Sequence, residues 1–320
     1  MAKKEIELLS ANSIIDEEKE IISWSPQIDK GLGGGIMAGS TVVVGGPPKL
    51  GKTTSILHFC KNAQKAGYTI CYGDVESRVR KRDLLGISGL DLSPEKFTMI
   101  RSTKDRILEG EEYMEKLEQV LKSNDRVVGV IDSLSALCCK DLIEGDIKER
   151  YRDSSPLLIS RFCKRVCNYI GVTDNIFIGV THIIANQGQG HKTWMEASGN
   201  KIRYACDFKL RGTHADTWTV GSGTNAEQVG QDIHWKCECS GLGKPNRDCT
   251  SKLRYNEGID EHAELIELAK EIGVVRLSGA WYYFEEEKWQ GLEKFVIELK
   301  QNQSLYDTIR LKTRKMLGWK

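Results

Sequence analysis

Apolar residues recur along the chain in two alternating rhythms. Thr41-Val42-Val43-Val44-Gly45 and Val127-Val128-Gly129-Val130-Ile131 are nearly continuous apolar runs rich in β-branched residues, the pattern of strands buried on both faces of a parallel sheet. Thr69–Gly73, Phe97–Ile100 and Ile176–Val180 read as further short strands. Between them the period changes. Ser55–Ala66 carries Ile56, Leu57, Cys60 and Ala63 at helical spacing, Glu111–Lys122 carries Tyr113, Leu117, Val120 and Leu121, and Leu157–Ile170 continues the series. Strands alternating with helices predict an α/β fold, a doubly wound, mostly parallel twisted sheet with its ligands at the carboxyl ends of the strands.

The two ends of the chain read differently. Residues 1–23 are charged and only weakly periodic (Ile6, Leu9, Ile14, Ile15, Ile21, Ile22), which predicts a short N-terminal helix and an arm that packs on this chain or on a neighbour. Gly31-Leu32-Gly33-Gly34-Gly35-Ile36 is a flexible turn cluster at the entrance to the core. From Cys206 to Tyr255 the pattern gives strands at Asp207–Leu210, Thr217–Val220, Asp232–Cys239 and Thr250–Tyr255. Residues 261–272 form an amphipathic helix, Gly279–Phe284 an aromatic strand, and Leu292–Lys300 and Leu305–Leu317 two closing helices. The expected domains are an arm at 1–30, a core at 31–260 and a small C-terminal α+β domain at 261–320.

Composition narrows the class without selecting a partner. Of 320 residues 40% are apolar and 28% charged, enough for a full core. The formal net charge is +1, so any surface for nucleic acid must be local. No apolar run approaches the ~18 residues of a membrane span, and Met1-Ala2-Lys3-Lys4-Glu5 lacks the apolar core of a signal peptide, so a soluble, cytoplasmic protein is expected. In that setting the ten cysteines are mostly reduced thiols. His234, Cys237, Cys239 and Cys249 also invite a zinc reading, although C-x-C with a distant third cysteine is not a common finger spacing and alternating strand cysteines give the same pattern.

The most specific motif follows the first apolar strand. Gly46-Pro47-Pro48-Lys49-Leu50-Gly51-Lys52-Thr53, continued by Thr54, lies between that strand and a helical stretch, the setting in which G-x-x-x-x-G-K-[ST] is a phosphate-binding loop. Its backbone N–H groups converge on phosphate oxygens, Lys52 reaches the β- and γ-phosphates of ATP, and the Thr53 hydroxyl sits on Mg²⁺. Asp132, at the end of its apolar strand, fits the second carboxylate associated with the metal. Glu76 lies just past the second strand, over the same sheet edge, where a carboxylate can orient or deprotonate an attacking water. Thr181-His182 ends the next strand and points a polar pair at the γ-phosphate region.

Two polar, glycine-containing stretches, Lys140–Ser155 and Ile183–Asn200, are too long for ordinary connections between core elements. The first contains Lys148, Arg150, Tyr151 and Arg152, and the second Asn186, Gln187, Gln189, His191, Lys192 and Trp194. Basic residues of this kind supply phosphate contacts, and Trp194 either stacks on a base or packs as a surface tryptophan. Near the C-terminus, Arg310, Lys312, Arg314, Lys315 and Lys320 make a local basic stripe with no acid from Arg310 onward.

The order of phosphate loop, Asp74-Val75-Glu76, Val130-Ile131-Asp132-Ser133-Leu134-Ser135-Ala136-Leu137, Thr181-His182, Tyr255-Asn256-Glu257-Gly258-Ile259 and Gly279-Ala280-Trp281-Tyr282 resembles the RecA-type recombinases, phage-encoded members in particular. The resemblance runs from about Ser25 onward, and its last two elements are far more specific than the phosphate loop. It implies a RecA-like phosphate-loop ATPase core whose subunits form helical filaments on single-stranded DNA and pair it with homologous double-stranded DNA in recombination and repair. It also implies that Glu76 is the catalytic carboxylate and that His182 couples the γ-phosphate to a DNA-binding loop. Lys140–Ser155 and Ile183–Asn200 would then line the filament axis, with loader and single-strand-binding proteins as further partners and the host cytoplasm as the location of a phage-encoded member. Where the bacterial pattern places two lysines that reach the neighbour's ATP, this chain has Cys237-Glu238-Cys239-Ser240-Gly241-Leu242-Gly243, leaving Lys236, Lys244 and Arg247 nearby, of which Lys244 and Arg247 are the candidates for a cation acting in trans. A ring-forming helicase on the same core and a nucleotide switch that loads other proteins are the alternative readings.

Overall fold

A computed structural model describes residues 18–145, 154–185, 194–196, 206–220 and 226–319. Strand β1 (Ile21–Ile22) is followed by helix α1 (Pro26–Leu32), β2 (Ile36–Met37), β3 (Thr41–Gly46), α2 (Lys52–Lys65), β4 (Thr69–Asp74), α3 (Lys81–Leu85), β5 (Phe97–Ile100), α4 (Gly110–Ser123) and β6 (Val127–Asp132). After the short helix α5 (Lys140–Glu144) come α6 (Ser155–Thr173), β7 (Ile176–Ala185), β8 (Trp194–Glu196), β9 (Phe208–Val220), β10 (Glu227–Cys239), β11 (Arg247–Arg254) and β12 (Gly258–Ile259). The remainder is α7 (Glu261–Glu271), β13 (Arg276–Ser278), β14 (Trp281–Phe284), β15 (Glu287–Gln290), α8 (Leu292–Gln301) and α9 (Gln303–Met316).

The main sheet has ten strands, in the order β12-β11-β10-β9-β3-β7-β6-β4-β5, with β8 paired to β7 off that path. Strands β9, β3, β7, β6, β4 and β5 are parallel, and β10, β11 and β12 extend them antiparallel. The apolar runs behave as their composition requires, since every residue of β3 and β6 is buried. Successive side chains point to opposite faces. Val42 and Val44 join a core with α2 residues Ile56, Leu57 and Phe59, whereas Val43 and Ile131 join a second core with Tyr113, Leu117, Phe162 and Val166 from α4 and α6. A smaller core joins α7 to the elements after it, where Phe295 is fully buried and stacks on Trp289 with ring centroids 4.1 Å apart. Strands β13–β15 form their own antiparallel sheet there.

Several boundaries depart from the pattern. Ile21 and Ile22 form a strand paired with Met37 and Ile36, and are not helical. The reversal that allows this pairing is made by Gly33, Gly34 and Gly35, all with positive φ, and a Cβ on Gly35 would stand 2.5 Å from the Ile22 carbonyl oxygen. Trp24 and Ile28 are fully buried in the larger core, so the expected arm boundary at residue 30 falls within α1, a helix packed on that core. Helix α2 begins at Lys52 because the phosphate loop itself supplies its first turn. The expected strands Asp207–Leu210 and Thr217–Val220 are one strand, β9, whose second half is largely exposed and is held by β10 pairing alone. Likewise β7 does not end at His182. It runs on to Ala185 and pairs with β8, so the expected second loop begins inside a strand. The first expected loop opens with the single-turn helix α5. Among the described residues no helix is long and apolar enough to cross a membrane.

Candidate functional site

The phosphate loop leaves β3 at Gly46 and enters α2 through Gly51, which caps the helix with φ +93°. A Cβ at Gly51 would stand 2.9 Å from Ile233 Cδ1 and 3.0 Å from Leu253 Cδ1, so glycine is needed both for the turn and for the approach of β10 and β11. Lys49 also adopts a left-handed conformation, with φ +62°. The result is a loop whose N–H groups gather at a helix N-terminus, the arrangement that suits phosphate. Lys52 Nζ donates to the carbonyl oxygens of Gly46 at 2.9 Å and Pro47 at 2.7 Å. Burial pulls the pKa of Lys52 down, and the Asp132 and Glu76 carboxylates oppose that shift.

Parallel pairing of β4 with β6 sets Asp74 opposite Asp132. Thr53 Oγ1 and the Tyr72 hydroxyl both donate to Asp132 Oδ2, each at 2.7 Å. A hydroxyl and a carboxylate oxygen adjacent to the loop form a donor set suited to a hard, oxygen-seeking ion such as Mg²⁺. Asp74 accepts from the backbone N–H groups of Arg78 (3.1 Å) and Val79 (3.2 Å), which folds the chain after β4 back over the strand ends. That turn carries Glu76 into the site.

Glu76 is held from both sides. Its Oε1 accepts from His182 Nε2 at 2.7 Å and from Ser133 Oγ at 2.9 Å, and its Oε2 lies 2.9 Å from Arg78 Nη1. Burial pushes the carboxyl up, but the hydrogen bonds from His182 and Ser133 and the charges of His182 and Arg78 outweigh it and hold it below the ordinary glutamate value. Glu76 is therefore a carboxylate at neutral pH. His182 is opposite Gly46 in the β7–β3 register, and its backbone N–H donates to Ser135 Oγ at 2.8 Å.

These groups line one cleft of about 490 Å³ that extends from Lys49–Thr54 past Asp132, Glu76 and His182. Sequence reasoning missed part of its wall. Arg78 and Gln231 of that wall, and Tyr72 and Ser133 that hydrogen-bond Asp132 and Glu76 from behind it, come from strands and turns whose convergence depends on sheet register, and only the motif around Tyr255 hinted at that side. Gln231 Nε2 donates to the Leu50 carbonyl oxygen at 3.1 Å, and the Tyr255 hydroxyl donates to Gln231 Oε1 at 3.2 Å, so Tyr255 is linked to the phosphate loop through one side chain.

The remaining candidates divide. Lys148, Arg150, Arg152, Gln187, His191 and Lys192 lie outside the described residues, and Trp194 opens β8 opposite Ala185. Lys244 and Arg247 are exposed and stand apart from the chain's own cleft, Arg247 donating to the Lys30 carbonyl oxygen at 3.3 Å. In the same region Glu238 accepts from Arg211 Nε at 2.6 Å and lies 3.1 Å from Lys209 Nζ, two cations that the sequence pattern had not singled out. His234, Cys237, Cys239 and Cys249 do not gather into a metal-binding group. Cys237 and Cys249 are buried against Gly31, and burial pushes their thiols up, that of Cys237 to about 11. The C-terminal basic stripe is partly engaged within the molecule, since Arg314 lies 3.7 Å from Asp29 and Lys312 pairs with Glu285.

Residues 2–260 match the family model of the RecA N-terminal domain, and residues 263–318 match that of the RecA C-terminal domain. The chain is similar to protein RecA of Oleidesulfovibrio alaskensis, with 30% identity over 304 residues that cover 93% of this chain and 83% of the relative. It is 27% identical over 304 residues to protein RecA of a Sulfurovum species, covering 93% and 84% of the two chains. To protein RecA of Acidothermus cellulolyticus it is 28% identical over 306 residues, again covering 93% and 84%.

Proposed function

The chain belongs to the RecA family of ATP-dependent recombinases, and from that membership we propose that it hydrolyses ATP in the cleft between Lys52 and Glu76 while filamented on single-stranded DNA that it pairs with homologous duplex. Bound Mg·ATP supplies a phosphoanhydride activated toward attack by water. Lys52 exchanges its bonds to the Gly46 and Pro47 carbonyls for phosphate oxygens. Thr53 and Asp132, already hydrogen-bonded to each other, would hold the Mg²⁺ that accompanies ATP. Glu76 orients the water and takes up its proton, and the observation that carries this role is a partly buried carboxylate kept ionised by His182 and Ser133 beside the phosphate loop.

His182 shares β7 with Ala185, which pairs with Trp194, so the hydrogen bond to Glu76 and the start of the second DNA-facing loop lie on one strand. Lys148, Arg150, Arg152 and Lys192 contact phosphates, while Gln187, His191 and Trp194 contact bases or sugars. The arm ahead of the core engages the adjacent subunit of the filament, Lys244 and Arg247 face that neighbour's nucleotide, and loader and single-strand-binding proteins serve as accessory partners in the cytoplasm. A strand-exchange assay run beside ATPase measurements with and without single-stranded DNA tests the reading. Joint molecules and DNA-stimulated turnover are expected. ATP binding with neither would overturn the proposal.

A further inference from the structure

On the antiparallel extension of the sheet, His214 of β9 stands directly opposite His234 of β10 in register. Their imidazoles stack with centroids 4.1 Å apart and planes inclined by 9°. Asp216, two residues along β9, lies on the same face of that strand, and its Oδ2 is 2.8 Å from His234 Nε2. One ligand atom from each of the three side chains lies within 4.8 Å of the other two.

A hydrogen bond on the Nδ1 of each ring prepares it for ligation. The Thr213 hydroxyl donates to the His234 carbonyl oxygen at 3.1 Å, so at 3.0 Å from His214 Nδ1 it accepts that ring's N–H. The lone pair of His214 is thereby assigned to Nε2. The Thr250 hydroxyl sits 3.1 Å from His234 Nδ1 and steadies the second ring from β11, since Thr250 is the register partner of His234. An orienting partner on the non-ligating nitrogen is the usual support of a metal-bound histidine. His214 and His234 edge a cleft of about 350 Å³ that Asp248, Glu267, Glu271 and Lys30 also line.

We propose that His214, Asp216 and His234 form a binding site for a divalent transition-metal ion of the zinc class, which clamps β9 to β10. Two imidazoles and one carboxylate are a donor set that selects such ions over Mg²⁺. A tetrahedral ion with bonds of about 2.1 Å needs about 3.4 Å between donor atoms, so the stacked rings must turn out of their parallel planes toward a shared ion, a movement open to His214 and Asp216, which are exposed, and to the His234 side chain, which is 32% exposed. Ligation replaces the bond between His234 Nε2–H and Asp216. The displaced proton ends on His234 Nδ1, whose N–H then donates a hydrogen bond to the Thr250 hydroxyl, so the ring stays neutral and no co-reactant is required. Water or a further donor completes the coordination shell. The clamp lies beside the register shift between His234 and Trp235, where the β9–β10 pairing is interrupted.

The test titrates ZnCl₂ into the full chain under a non-thiol reductant, by calorimetry and by equilibrium dialysis with metal analysis, for the unaltered protein and for His214→Ala, His234→Ala and Thr250→Val. The unaltered protein should take up one equivalent at micromolar zinc or below, with a raised melting temperature. Each histidine variant should lose that equivalent or bind it more than tenfold more weakly, and Thr250→Val should weaken it about tenfold. ATP binding by all three variants, measured alongside, should match that of the unaltered protein and so report intact folding. Zinc uptake equal in the histidine variants and the unaltered chain would assign the metal to the cysteines and overturn the proposal, as would no uptake by the unaltered chain.

Discussion

His182 Nε2 lies 2.7 Å from Glu76 Oε1, so one hydrogen bond joins the carboxylate proposed to act on water to the strand that leads into the proposed second DNA-facing loop. Removing it with His182→Ala should lower DNA-stimulated turnover about tenfold, the effect of roughly 1.4 kcal/mol for one charge-assisted hydrogen bond. The rate without DNA should fall less. Equal falls in both rates would reduce His182 to a local support of Glu76.

Lys52 and Glu76 act at different stages and should separate in experiment. Lys52→Ala removes the cation that meets the β- and γ-phosphates, so nucleotide binding, filament formation and hydrolysis should all drop. Glu76→Gln keeps the shape and loses the base, so turnover should fall about a hundredfold or more while nucleotide binding persists and filaments become long-lived. Filament lifetime by microscopy, beside phosphate release, checks both. Full turnover by Glu76→Gln would take that residue out of the mechanism.

Stability should carry the signature of two buried acids. Burial pushes Glu264 up to about 8 and Asp29 up to about 7. Each native group therefore keeps a proton that the unfolded chain loses near pH 4 to 4.5, its ordinary range. Because the folded state binds more protons across that window, their contribution is complete below pH ~4 and declines as pH rises toward 8, by up to about 1.4 kcal/mol per unit for each group. Buried His58, which burial keeps neutral, works in the opposite direction as pH falls, so the difference between the unaltered chain and Glu264→Gln is the quantity to measure. Denaturation midpoints between pH 5 and 8 should fall more steeply in the unaltered chain. Parallel slopes would show that Glu264 is ionised in the folded protein.

The parts of this architecture legible in the sequence are those fixed by local composition. Strands β3 and β6 are apolar on both faces because both faces are covered, and the phosphate loop announces itself between a strand and a helix. Glu76 and Asp132 follow from their positions at strand ends. Tyr72 and Gln231 were not legible, since their roles arise when register brings them to Asp132 and to the Leu50 carbonyl. The full length of β9 escaped for a related reason: beyond Arg211 it is held by backbone pairing to β10 alone and is largely exposed, with no apolar run to mark it. The C-terminal basic stripe gave no sign of an internal partner, but Arg314 lies against Asp29, a buried acid from the other end of the chain.

The DNA path proposed through both long loops makes a thermodynamic prediction. If Arg150, Arg152 and Lys192 neutralise phosphates, the triple alanine variant should bind all single-stranded sequences more weakly. Its slope of log affinity against log salt should be shallower by about 0.7 per contact, or roughly 2 in total. Fluorescence anisotropy over a salt series gives that slope directly. An unchanged slope would move the path elsewhere, with Arg310 and Lys315 of α9 the next cations to test.

The interface between subunits offers the sharpest test of how this chain departs from the bacterial pattern. Glu238 accepts from Arg211 and lies beside Lys209, so those two cations are engaged within the subunit, whereas Lys244 and Arg247 are exposed. Gly243 packs against the backbone of Gly33, and Arg247 donates to the Lys30 carbonyl, contacts that fix where the loop carrying Lys244 leaves the core. A cation delivered from such a loop to the neighbour's phosphates would stabilise charge developing on the transferred group. Lys244→Ala or Arg247→Ala should then lower DNA-stimulated hydrolysis without changing ATP binding by isolated subunits. Action in trans is tested by mixing either variant with Lys52→Ala, because an interface that pairs an intact Lys52 site on one subunit with an intact loop cation on the other should raise activity above the sum of the two proteins measured alone. If neither single variant changes DNA-stimulated turnover, this segment sends no cation across the interface, and Lys209 and Arg211 become the residues to examine, with their ion pairs to Glu238 as the contacts that filament assembly would have to rearrange.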